Sequence, residues 1–200
     1  MNYEIVVAST NRHKVEEIRK ILSPHKITVY GLRDLNIDEI EVIENGKSYQ
    51  ENALIKANAY KDKINKPIIA DDSGIEIDAL NGEPGLLSAR FALNMGGHEQ
   101  AMDFIINKAK ETNKYTARFI CNIVLVNQED KPLTFSAIVN GKINTNKKGI
   151  NGFGYDPIFI PEEFTKTYAE LSEEEKNNFS HRGKALKKLI TYLKINGKCI

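Results

Sequence analysis

A chain of 200 residues, 41% hydrophobic and 28% charged, suits one large domain or two closely packed lobes and has the composition of a soluble globular protein, not a disordered one. With 28 basic against 27 acidic residues its formal net charge is +1, so no global field draws it toward nucleic acid or an anionic membrane, although a local basic pocket stays open. No apolar run approaches the length of a membrane span, and the N-terminus enters a strand-like run at once, without a leader pattern. Two cysteines, Cys121 and Cys199, suggest neither a disulfide nor a metal site, which points to a reducing cytoplasm.

Residues 3–9 read as a first, buried strand. Val15, Ile18, Ile21 and Leu22 fall at helical spacing before the stop Ser23-Pro24. Between them lies the polar run Ser9-Thr10-Asn11-Arg12-His13-Lys14. A strand–loop–helix junction offers unpaired N–H groups and a positive dipole end, a ready seat for phosphate. Thr10 and Asn11 add donors, and Lys14, one turn in, reaches the same anion. Capping by Thr10 or Asn11 beside a solvated lysine explains the same residues.

Residues 27–42 suggest two short strands with a turn at Gly31. Gly46-Lys47-Ser48 imitates the end of a Walker loop, but position 41 is Glu, so there is no P-loop. Ser48 and Glu51 instead form a capping box that opens a helix to about Ile64, with Ala53, Ala57 and Tyr60 on one face. Glu44, just before it, reads as a surface carboxylate.

Residues 67–74, Pro-Ile-Ile-Ala-Asp-Asp-Ser-Gly, suggest a buried strand that stops at Asp71 and Asp72 and then turns tightly. Strand alternation lets one aspartate face a ligand while the other braces the turn. An Asx-turn is the simpler explanation. A further strand at 75–80, a turn-rich stretch at 81–90, and a helix carrying Met102, Ile105, Ile106 and Ala109 after Gly96-Gly97 follow. Residues 115–126 and 133–140 read as a hairpin that serves as scaffold.

Residues 149–161 include Gly152-Phe153-Gly154-Tyr155-Asp156-Pro157, suited to a loop whose backbone approaches a planar ligand with an aromatic stacked on it. A glycine turn before the strand Ile158-Phe159-Ile160 accounts for it equally. Lys176 ends an acidic helical patch, Glu173-Glu174-Glu175. Ser180-His181-Arg182-Gly183 then opens an amphipathic helix with Leu186, Leu189, Ile190 and Leu193 on one face and Gly197 as C-cap. Cations in a first helical turn oppose the dipole, so His181 and Arg182 there call for a ligand with an anion or carbonyl.

Five of these segments, Ser9–Lys14, Ser48-Tyr49-Gln50-Glu51-Asn52-Ala53, Ala70-Asp71-Asp72-Ser73-Gly74, Gly152–Pro157 and Ser180–Gly183, stand in the order and spacing of the inosine triphosphate pyrophosphatases. The resemblance runs from Ile5 to about Leu193. It implies an α/β fold with a long, twisted mixed sheet flanked by helices, in a single domain of two lobes around a central active-site cleft. It also implies a cytoplasmic, Mg²⁺-dependent homodimer that splits ITP, dITP and XTP into monophosphate and pyrophosphate. By position, Ser9, Thr10, Asn11, Arg12, His13 and Lys14 bind triphosphate. Asp72 is general base and, with Glu44, a metal ligand. Ser73 contacts substrate, and Phe153, Gly154, Tyr155, Asp156, Lys176, His181 and Arg182 form the nucleotide pocket. Asp71 more simply holds the turn, with support of the metal site as the alternative. Ser9 stands where threonine is frequent in the family, and Arg12-His13 replace smaller residues.

Donors at His181 and Arg182 would favour a 6-keto purine over adenine, a mismatch that can discriminate by about 10⁴-fold. A Maf-type pyrophosphatase and a non-catalytic nucleotide-binding module are the competing readings, and direct nucleic-acid binding is disfavoured by the balanced charge.

Overall fold

The computed structural model describes residues 3–199. Its strands are β1 (Tyr3–Val7), β2 (Ile27–Gly31), β3 (Ile68–Ile77), β4 (Thr116–Val126), β5 (Leu133–Ile143) and β6 (Phe159–Pro161). They form one mixed sheet in the order β2-β1-β3-β4-β5-β6. The helices are α1 (Arg12–Leu22), α2 (Tyr49–Asn58), α3 (Ser88–Asn94), α4 (His98–Thr112), α5 (Glu173–Phe179) and α6 (His181–Ile195). The chain divides into two compact units. One comprises residues up to 72 with 121–137 and 182 onward, and the other comprises 73–120 and 138–181.

In the first unit β1 and β2 run parallel, from Tyr3↔Ile27 to Val7↔Gly31, joined by α1. The alternation of β3 decides what covers each face. Ile69 packs with Val15, Ile18 and Leu22 of α1 and with Leu186, Leu189, Ile190 and Leu193 of α6. Ile68 and Ala70 point the other way, against Ala53 and Ala57 of α2 and against Tyr60 and Ile64. Each fully buried leucine of α6 contributes about 1.5–3 kcal/mol relative to exposure, which fixes that helix on the sheet.

The second unit has its own core. Ala101, Met102, Ile105, Ile106 and Ala109 of α4 meet Ile75 and Ile77, Phe119, Val139, Ile143 and Phe159. The 3.6-residue repeat of α4 and the 2-residue repeat of β5 are those of elements with one face inward.

Several local expectations are corrected. The strand does not stop at Asp71-Asp72, and Ser73-Gly74 is no turn: β3 runs unbroken to Ile77, and a 3₁₀ turn, Asp78–Leu80, replaces the rest of the expected strand at 75–80. Ser88 Oγ accepts from the Ile75 N–H at 2.9 Å, and a Cβ on Gly74 would stand 2.2 Å from the Gly85 carbonyl oxygen. The glycine therefore permits a close backbone approach within a strand. Asp71 accordingly holds no turn.

Residues 27–42 contain one strand, because the Gly31 N–H donates to Asp34 at 2.7 Å and starts a 3₁₀ turn, Leu32–Leu35. Helix α2 ends at Asn58, beyond which tighter bonds such as Tyr60 N–H to Ala57 O take over. Its capping box is half formed: Ser48 Oγ accepts from Glu51 N–H, but Glu51 reaches the N–H of Lys47 at 2.6 Å.

Candidate active site

Strand β1 ends at Val7, and the Ala8 N–H still donates to Ile69 O at 2.8 Å before the polar loop begins. Asn11 is the N-cap of α1, its Oδ1 accepting from the Lys14 N–H at 3.2 Å, and Ser9 Oγ accepts from the Asn11 N–H. Thr10, Arg12 and His13 are exposed. A cavity of about 200 Å³ is lined by Ser9, Thr10 and Arg12 together with Arg19, Gly31 and Arg33. Arg19 and Arg33 are paired with acids, Asp34 and Glu39 respectively.

Asp71 shares the face of Ile69. Its Oδ2 accepts from Lys14 Nζ at 3.0 Å and from Arg182 Nη2 at 3.1 Å, while Arg182 Nη1 donates to Glu17 at 2.8 Å. Burial alone would raise this carboxyl, but Lys14, Arg182 and Lys56 outweigh it and hold it well below the usual carboxylate range. The first residue of the phosphate-type loop's helix to carry an ammonium is thus tied to the strand and to the start of α6.

Asp72 shares the opposite face, that of Ile68 and Ala70, and meets α2. Lys56 Nζ donates to Asp72 Oδ1 at 2.8 Å and to Glu44 Oε2 at 3.0 Å, and Asn52 Nδ2 donates to Asp72 Oδ2 at 3.3 Å. Asn52 and Lys56 are four apart, so one helix face supplies a donor to each oxygen. Burial lifts Asp72 above the ordinary carboxylate range, with Glu44 adding to it against the pull of Lys56 and Lys14. Burial would also lower Lys56, but Asp72, Asp71 and Glu44 prevail and keep it charged. Glu44, expected at the surface, is therefore drawn to the same ammonium.

Ser73 follows in β3, and the other sequence-singled residues lie with it in the second unit. Gly152 takes φ +75°, and a Cβ there would stand 2.1 Å from Asp156 Oδ2. That oxygen accepts from the Phe153 N–H at 2.8 Å and from Lys176 Nζ at 2.6 Å. The Lys176 ammonium also lies 4.8 Å from the Phe153 ring centroid, a cation–π contact. Asp156 and Lys176, both buried, thus hold Phe153 in place. Tyr155 is buried, its hydroxyl donating to the Ser88 carbonyl at 2.8 Å, and its ring meets His98 edge-on. Gly154, at φ +68°, lies beside His98. His181 is buried and stacked on Phe119 of β4.

A sequence profile described as the Ham1 family matches residues 5–192. The chain belongs to the Ham1 family. The dITP/XTP pyrophosphatase of Flavobacterium johnsoniae is 42% identical over 190 residues, 95% of this chain and 97% of that protein. The protein of the same name from Staphylococcus epidermidis is 40% identical over 95% of this chain and 96% of its own. Among solved structures, the Staphylococcus aureus Ham1 protein matches with TM-score 0.82 and 39% identity, covering 96% of this chain and 99% of that one. A HAM1 protein from Coxiella burnetii matches with TM-score 0.81 and 36% identity, over 96% and 98%.

In this Ham1-family chain four residues around Asp71, Asp72 and His181 carry contacts to which the sequence assigned no role: Glu17, Asn52, Lys56 and Phe119. Signals for two of them were present. Glu17 falls beside the apolar stripe of α1, and Asn52 shares the buried face of Ala53 and Ala57. Lys56 carries none, because its partners lie 12 and 16 residues away. Phe119 reads as one more apolar residue of a strand expected to be scaffold.

Proposed function

We propose that the chain hydrolyses deaminated purine nucleoside triphosphates, ITP, dITP and XTP, to monophosphate and pyrophosphate, and so clears them from the nucleotide pool. The observation that carries the mechanism is the convergence of Asp72 and Glu44 on one cation, in the unit that also holds α1 and Lys14, the latter paired with the adjacent Asp71. Among the described residues no cluster of three or more His, Cys, Asp or Glu offers a metal cage. Two carboxylates that already share a cation fit Mg²⁺, which keeps waters and takes phosphate oxygens alongside one or two acids. When bound, Mg²⁺ supplies charge neutralisation for the triphosphate and polarisation of water.

The chain's own groups do the rest. Ser9, Thr10, Asn11, Arg12, His13 and Lys14 take the triphosphate through side-chain donors, positive charge and helix N–H groups. Asp72 removes the proton of the attacking water as pyrophosphate leaves the α-phosphorus. Ser73 stands one residue further on the strand as a donor to substrate.

Phe153 stacks on the purine. Gly154 allows the loop backbone to approach the base, and Tyr155, Asp156 and Lys176 fix that loop. His181 and Arg182 read the 6-keto oxygen, Arg182 being oriented beforehand by Asp71 and Glu17. The protein works as a homodimer in the cytoplasm, and its two units are lobes of one domain.

Incubating the purified protein with Mg²⁺ and a panel of triphosphates tests this reading. ITP, dITP and XTP should yield pyrophosphate and monophosphate far faster than ATP or GTP. Orthophosphate with IDP as products would refute the bond assignment, and pyrimidine or methylated nucleotides as the best substrates would favour the Maf-type alternative.

A further inference from the structure

Lys56 stands at the point on which Glu44 and Asp72 converge. Its Nζ is 2.8 Å from Asp72 Oδ1 and 3.0 Å from Glu44 Oε2, with the side chain 14% exposed. The helix that presents it is anchored immediately upstream. Ser48 caps α2, and Asn52, one turn before Lys56, fixes the other oxygen of Asp72 and accepts from the Gly46 N–H at 2.8 Å. The Gly46 bond ties the loop that carries Glu44 to the same helix. Both acids are therefore held to α2, and one ammonium satisfies the oxygens that face each other.

Those two carboxylates are also the pair assigned above to the divalent cation. An ammonium and a Mg²⁺ on the same pair of carboxylates compete for their oxygens and repel at close range in a partly buried site. We propose that Lys56 is a resident counter-cation, which holds Glu44 and Asp72 together in the metal-free protein and is displaced from them when the divalent cation binds. This rests on the metal reading and adds to it.

The four-carbon stem lets the displaced head swing, and a compact ammonium is a good partner for phosphate oxygen. A divalent cation arriving alone must expel Lys56 with no new partner for it. One arriving with a triphosphate brings that partner. Metal and nucleotide then bind with positive coupling, which is reciprocal by linkage. Lys56 thus discourages unproductive metal loading and favours loading with substrate.

Direct metal binding gives the test, with Mn²⁺ as a spectroscopic probe and no turnover required. Free Mn²⁺ is followed by its electron paramagnetic resonance signal with wild type, Lys56→Met and Lys56→Gln, with and without a non-hydrolysable purine triphosphate analogue. Without nucleotide, both substitutions should tighten Mn²⁺ binding about tenfold or more, because a competing positive charge is gone. The analogue should tighten Mn²⁺ binding more in wild type than in either variant. The Gln variant keeps a hydrogen-bond donor without charge, so it serves where the Met variant folds poorly.

Unchanged or weaker Mn²⁺ binding in the variants overturns the inference. A Glu44→Gln substitution separates the two layers. If it leaves Mn²⁺ affinity unchanged in both wild-type and Lys56 variant backgrounds, the metal reading itself fails. If it weakens binding in both while the Lys56 variants show no gain, only the counter-cation role fails.

Discussion

The Phe119 ring lies flat on the imidazole of His181, with centroids 4.5 Å apart and planes 5° from parallel. Tyr168 and Phe159 complete the aromatic group around them. A stacked pair of this kind is worth about 0.5–1.5 kcal/mol beyond burial, enough to hold one ring orientation. Phe119 therefore positions the His181 ring, which is proposed above to read the base.

Phe119→Leu should lower the ITP-to-ATP ratio of kcat/KM by about two- to tenfold, the kinetic equivalent of losing that stack. Phe119→Tyr should retain the ratio. The measurement is steady-state pyrophosphate release with both nucleotides. A Leu variant with unchanged selectivity would remove His181, or its orientation, from base recognition.

The adjacent aspartates should fail in different ways. Asp72→Asn should abolish turnover while nucleotide binding survives, read by equilibrium binding of an ITP analogue. Asp71→Asn leaves Arg182 and Lys14 without their shared acid and should destabilise the fold by about 3–5 kcal/mol, as broken buried pairs do. Chemical denaturation gives that number. An inactive but fully stable Asp71 variant would show that its part lies in the chemistry.

Gly152 should resist substitution more than Gly82. A Cβ at position 152 meets Asp156 Oδ2 at 2.1 Å, whereas at position 82 it meets nothing within 4 Å, and both residues have positive φ. Gly82→Ala should cost only the left-handed strain of about 1–2 kcal/mol. Gly152→Ala should cost more and also raise KM for ITP, because the bond that fixes Phe153 shares that oxygen. Thermal unfolding and KM measured on both variants decide it.

Acid should loosen the second unit through its capping boxes. Glu170 accepts from the Thr167 N–H and Glu175 from the Ser172 N–H, both at 2.8 Å, and these bonds lower the pKa of each from the ordinary 4.5. A lowered folded-state pKa gives stability that is fully present above the unfolded value and is lost as pH falls through the folded one. Wild type should therefore lose more unfolding temperature than a Glu170→Gln/Glu175→Gln variant between pH 5 and 3, the interval bracketing about 4.5. Parallel curves would refute the claim.

Helical periodicity and capping are local properties, and they were legible. The buried stripes of α1, α4 and α6 and the Ser48 cap follow from spacing that any few turns display. Asp71-Asp72-Ser73-Gly74 misleads for the same reason: each residue type is a turn former, but the ladder of β3 and the Ser88 hydroxyl, 13 residues on from its Ile75 partner, override that tendency. The partners of Asp71 and Asp72 were invisible because they come from α1, α6 and α2, brought close only by the fold. Nor could sequence show that Asp156 and Lys176 would meet each other over the Phe153 loop.

The register of β3 carries a demand that no side chain reveals. Val6↔Ile68 and Val7↔Ile69 fix the strand, so Asp71 falls on the side of Lys14 and Arg182 and Asp72 on the side of Lys56. Loss of Ala70 would seat Asp72 among the partners of Asp71 and leave a serine opposite Lys56. Descendants of this gene can exchange the apolar residues of the strand for one another, but they cannot change how many there are. Length, as much as identity, is inherited at this point of the chain.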